Sequence, residues 1–190
     1  MSSTPPATWL EDIAAIATEA GARILGIYHG PFDVELKGDH SPLTQADRAA
    51  HELIVARLAQ LTPDIPVLSE ESAKIEYAQR AGWTRFWLVD PLDGTREFIK
   101  RNGEFTVNIA LIENGDPVAG VVYAPVPDAL YYGEIGHGAS RRLKDGAEES
   151  ITTRSRHRPG LAAARARGRK GGRPTVMSDQ RRAAALAMRV

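Results

Sequence analysis

The chain has 190 residues, 43% apolar and 25% charged, the range of an ordinary soluble protein and enough for one core plus an appendage. It has no Cys, which excludes a disulfide framework, a thiolate metal site and a Cys nucleophile, and no apolar run approaches the length of a membrane-spanning helix. A formal net charge of zero hides two unlike parts: residues 1–153 hold 13 Lys and Arg against 23 Asp and Glu, a net of −10, whereas residues 154–190 hold 10 Arg and one Lys against Asp179 alone, a net of +10.

Met1 to Thr8 has neither a basic n-region nor an apolar h-region, so no signal peptide is expected and a cytoplasmic location is. Thr8-Trp-Leu-Glu11 reads as an N-cap with a capping box, and the apolar spacing that follows predicts a helix over 8–29, stopped by Gly30-Pro31. Phe32 to Lys37 alternates as a short strand, and Lys37 to Pro42 is a loop by composition. Thr44 caps a second helix that carries Ala50, Leu53, Ile54, Leu58 and Leu61 at helical spacing and ends before Pro63.

Ile65 to Leu68 is a short apolar run that leads into Ser69-Glu70-Glu71, and Arg85 to Val89 reads as a buried strand ending at Asp90. A short helix is expected over 95–100, with Thr95 as its cap. Phe105–Ile112 and Pro117–Ala124 flank Asn114-Gly115, a strong hairpin signal, and Ala129–Glu134 is one more strand. Two helices followed by strands on tight turns indicate an α+β layered domain with a largely antiparallel sheet. From Arg154 onward the chain is Arg-, Ala- and Gly-rich without an aromatic residue, and disorder is expected there.

The chemistry concentrates in Asp90-Pro-Leu-Asp-Gly-Thr95. A strand delivers Asp90, Asp93 follows three residues later, and Gly94 lets the backbone come close to whatever the carboxylates hold. Glu70 and Glu71 add two acids at another strand end. Carboxylates crowded in this way repel one another and any phosphate, and Mg²⁺ reverses that sign.

Asp47, Glu70-Glu71 and the hexapeptide, in this order, resemble the signature of the inositol monophosphatase superfamily. The continuation Arg96 to Ala110, together with Lys37 to Asp47 and Gly120 to Pro125, is similar to its CysQ-type 3'(2'),5'-bisphosphate nucleotidase branch. The resemblance implies the α+β N-terminal domain of the inositol monophosphatase / fructose-1,6-bisphosphatase-like fold over residues 1–153. It further implies two or three Mg²⁺ ions, with Glu70, Asp90 and the carbonyl of Leu92 on the first and Asp90 and Asp93 on the second. Gly94 and Thr95 would offer N–H groups to the phosphate, with Glu70, Leu92 and Asp93 lining the same place. Asp47, through Thr95 and with Glu70 nearby, would activate the attacking water, while Glu71 and Lys37 have secondary roles.

The implied activity is release of the 3'-phosphate of adenosine 3',5'-bisphosphate in sulfate assimilation, with lithium sensitivity. An inositol-1-phosphate phosphatase is the near alternative, and an inactive remnant with a polyanion-binding tail the alternative of another class. The family continues into a second domain with a Trp-Asp motif, whereas the Trp residues here are Trp9, Trp83 and Trp87. The second domain is therefore expected to be missing, residues 154–190 to be a tail of frameshift character, and activity to fall below that of full-length relatives. No specific nucleic acid is expected as partner, since the tail lacks stacking aromatics. Peripheral association with the cytoplasmic face of an inner membrane, and a homodimer, stay open. The five His residues have no metal-ligand spacing, no Gly-x-Ser-x-Gly elbow exists, and Gly136–Gly138 is a turn.

Overall fold

The computed structural model of the protein describes residues 8–36, 42–72 and 75–152. Helix α1 (Thr8–Tyr28) carries Ile13, Ala17, Ala20 and Ile24 at steps of four and three, and all four are fully enclosed. Helix α2 (Gln45–Leu61) buries Ala50, Leu53, Ile54 and Leu58 in the same way. Its start matches the expectation for Thr44, whose hydroxyl accepts from the N–H groups of Ala46 and Asp47 while Asp47 Oδ2 takes the Thr44 N–H at 2.7 Å. The reciprocal pair satisfies donors that an uncapped helix leaves open. Between the helices, β1 (Val34–Leu36) pairs antiparallel with β2 (Pro42–Thr44), a strand the composition of that segment had not indicated.

One sheet of seven strands lies beneath the helices in the order β3 (Val67–Ser69), β4 (Arg85–Asp93), β5 (Thr106–Glu113), β6 (Asp116–Ala124), β7 (Ala129–Glu134), β8 (Gly138–Arg142) and β9 (Glu148–Ile151). Only β3 and β4 run parallel, so the expected antiparallel character holds with one exception. Helix α3 (Tyr77–Arg80) lies on the crossover between that pair, and α4 (Thr95–Ile99) follows β4. Helix α1 lies across β5–β7 and α2 over β3 and β4. Alternate residues Trp87 and Val89, Val107, Ile109 and Leu111, and Val121 and Tyr123 face the helices as one core. Trp87 donates its indole N–H to Thr62 Oγ1 at 2.8 Å, so the largest core side chain leaves no polar atom unmet.

At the β5–β6 turn, Asn114 and Gly115 have φ of 51° and 89°, the left-handed pair that a two-residue hairpin requires. Strands β8 and β9 were not foreseen; they are polar, Gly138 to Arg142 and Glu148 to Ile151, and lack the apolar alternation that marks a half-buried strand. Residues 154–190, with the expected tail, and Lys37 lie outside the described residues. No helix among the described residues is long and apolar enough to cross a membrane.

Gly21 is where α1 touches the sheet most closely: a Cβ there would lie 2.4 Å from a ring carbon of buried Tyr123, whose hydroxyl is held by Asp128 at 2.8 Å. Ala gains about 1 kcal/mol of helix propensity over Gly, but a displaced core ring costs about 1–3 kcal/mol. Gly21→Ala is therefore expected to destabilise the chain by about 1 kcal/mol, read as a lower urea midpoint; a raised midpoint would show that the ring moves aside freely.

Candidate metal centre

Strand β4 does not stop at Asp90, as the apolar run suggested, but continues to Asp93. Pro91 has no N–H to give a ladder, and the register with β5 shifts between Asp90 and Asp93. Asp90 stands opposite Asn108, and Asp93 stands opposite Thr106. Gly94 then turns the chain with φ of 96°, and a Cβ on it would sit 2.8 Å from the Glu104 carbonyl oxygen. Glycine is required there on both counts.

Gly94, not Thr95, occupies the cap position of α4. Thr95 is the first helical residue, and its hydroxyl turns back to donate to Asp47 Oδ1 at 3.1 Å, with the Leu92 carbonyl as a second acceptor at 3.3 Å. Asp47 is 1% exposed, and its other oxygen takes the N–H and hydroxyl of Thr44 at 2.7 and 2.6 Å. One carboxylate thus joins the start of α2 to the start of α4.

Glu70 and Glu71 follow β3 directly, in a turn closed by the Ser72 N–H on the Ser69 carbonyl at 3.1 Å. The Glu70 N–H extends the parallel ladder to the Val89 carbonyl at 3.0 Å, which brings the Glu70 side chain onto Asp90. Burial pushes the Asp90 carboxyl up to about 9, helped by the charges of Glu70 and Asp93, a hydrogen bond with the Glu70 side chain and the charge of Glu71. Two carboxyls share a hydrogen bond only if one keeps a proton. Asp90 Oδ1 is shut off from solvent and has no hydrogen-bond partner.

Glu70 and Asp93 therefore each bear on Asp90, and Asp47 is tied to the segment that follows them through Thr95. Among the described residues no three His, Asp or Glu side chains form a ready ligand cluster. Their oxygens are shared among local partners instead: Asp93 Oδ2 takes the Asn108 amide at 3.3 Å, and Asp47 takes Thr44 and Thr95. The orphaned Oδ1 and the crowded oxygen-only donor set fit a hard divalent cation.

Two contacts were invisible in the sequence. Asn108 accepts from Thr106 Oγ1 at 3.0 Å and donates to Asp93, and the available signal was a lone amide between Val107 and Ile109 in a mostly apolar strand. His51 meets Ser69 Oγ through Nδ1 at 2.8 Å, two residues far apart in the chain. Burial lowers the His51 pKa, with Glu52 opposing, so the ring is neutral at pH 7.

An Asp90 carboxyl that resists ionisation in the folded state, but ionises near its ordinary value when unfolded, binds the extra proton in the native form. Stability without divalent cations then falls as pH rises from about 4 towards 9. Asp90→Asn removes that loss. In EDTA the variant is expected to exceed the parent by on the order of 2 kcal/mol at pH 8, with little difference at pH 4.5, and only the parent is expected to gain melting temperature on adding Mg²⁺.

Residues 7–170 match the model of the inositol monophosphatase family. The 3'(2'),5'-bisphosphate nucleotidase CysQ of Salmonella typhimurium is 51% identical over 152 residues, which cover 79% of this chain and 61% of that protein. The chain thus spans about three-fifths of the length of such relatives. Among solved structures, CysQ from Bacteroides thetaiotaomicron matches with 52% identity and a TM-score of 0.60, covering 75% of this chain and 53% of its own. The extragenic suppressor protein suhB from Bartonella henselae matches with 32% identity and a TM-score of 0.68, covering 80% and 57%. With a family model over most of its length and such relatives, the chain belongs to the inositol monophosphatase family.

Proposed function

We propose that this chain carries the metal-binding half of a Mg²⁺-dependent phosphomonoesterase that hydrolyses the 3'-phosphate of adenosine 3',5'-bisphosphate to AMP and phosphate. The observation that carries this reading is the buried, partnerless oxygen of Asp90 between Glu70 and Asp93. The nucleotide substrate rests on identity near 50% to proteins named 3'(2'),5'-bisphosphate nucleotidase, and a place in sulfate assimilation is what the family resemblance implies.

In this reading Glu70, Asp90, Asp93 and the Leu92 carbonyl are the groups that would hold the Mg²⁺ ions. The ions supply the positive charge that lets a phosphate approach and make water a better nucleophile. The chain's own groups do the rest. Gly94 and Thr95 present backbone N–H groups to the phosphate oxygens. Thr95 Oγ1, held by Asp47, orients the attacking water, and Asp47 accepts its proton through that hydroxyl. Water bonds to phosphorus as the bond to the ribose 3'-oxygen breaks; that oxygen takes a proton from solvent water and Asp47 returns its own to solvent, so no phosphoenzyme is required.

Phosphate release from adenosine 3',5'-bisphosphate by the 190-residue chain tests the reading. Release is expected with Mg²⁺, absent in EDTA, inhibited by Li⁺ and abolished by Asp93→Asn, while Asp47→Asn lowers kcat about a hundredfold or more. Faster release from inositol 1-phosphate moves the assignment to an inositol phosphatase, and no release at any Mg²⁺ concentration leaves an inactive remnant.

A further inference from the structure

On α2, Asp47 and His51 are one turn apart and so share a helix face. Each reaches a different chain segment of the metal centre: Asp47 holds Thr95 at 3.1 Å, and His51 holds Ser69 at 2.8 Å. Ser69 is 5% exposed and anchors the turn that presents Glu70. Its carbonyl takes the Ser72 N–H at 3.1 Å, and the next N–H, that of Glu70, is bound to Val89 at 3.0 Å. The His51 ring is thus the side-chain partner at the base of the Glu70 turn, as Asp47 is at the base of α4.

We infer that His51 is a positioning residue which, through Ser69, sets the Glu70 turn against Asp90 so that both carboxylates bear on one divalent cation. The inference rests on the metal-centre reading above and extends it to a residue with no ligand spacing of its own. Partners of ligand-bearing segments act in this way by fixing the orientation of the donor, and their loss typically weakens metal binding about 10–100-fold. A contact that merely holds α2 to β3 behaves differently, since its loss lowers stability alike with and without the ion.

The test measures Mg²⁺ affinity of the whole chain by titration calorimetry and by the Mg²⁺-dependent rise in melting temperature. His51→Ala and Ser69→Ala are each expected to weaken Mg²⁺ binding about tenfold, with the double variant no weaker than either alone. His51→Asn, which sets an amide group near the position of Nδ1, is expected to restore most of the affinity. Ser69→Ala removes one hydroxyl only and serves if His51→Ala does not fold. Mg²⁺ affinity unchanged in Ser69→Ala, or losses that simply add in the double variant, overturn the inference and leave the metal centre standing. No Mg²⁺-dependent rise in the parent chain overturns the metal centre and this inference together.

Discussion

Like charges crowded at the ends of β3 and β4 govern much of the arrangement around them. Asp90 lies between Glu70 and Asp93 with one oxygen sealed from water, and carboxylates so placed cannot all be ionised without a counter-charge. The sheet imposes this. The parallel ladder between β3 and β4 runs on to the Glu70 N–H, and the irregularity at Pro91 lets β4 continue to Asp93. The core beneath, from Trp87 and Val89 to Val107 and Ile109, holds the strands in place while the acids repel. Stability is given up at one sheet end in return for a place where a cation and an anion can meet.

The hydrogen bonds around the acids decide which oxygens remain available. Asp47 spends both of its oxygens on Thr44 and Thr95, so it holds α4 against α2 and reaches the site only through the Thr95 hydroxyl. Asp93 is steadied by Asn108, which is itself steadied by Thr106. Asp90 has a buried oxygen with nothing to accept from. The three acids therefore have different duties although they arrive from one short motif and one helix start.

The sequence made α1, α2, the hairpin at Asn114-Gly115 and β7 legible, because each has a period or a turn residue with a local physical cause. It also pointed, through carboxylates at strand ends, to Glu70, Glu71, Asp90 and Asp93 as a group, with Asp47 added by the family resemblance. It missed β8 and β9, whose charged residues suit the outer side of a sheet and hide the strand period. It misassigned the cap of α4, because a left-handed Gly94 does without a side chain what a Thr does with one. Asn108, and His51 with Ser69, were out of reach because their partners are set by strand register and helix packing rather than by neighbours in the chain.

The single parallel pair carries a kinetic consequence. Strands β5 and β6 are joined by two residues and can find one another almost at once, whereas β3 meets β4 only after the chain has crossed back through α3. Closing that longer loop costs more entropy, and the reward includes pressing Glu70 against Asp90. That pairing therefore forms against an electrostatic objection, which a divalent cation bound at the acids would remove.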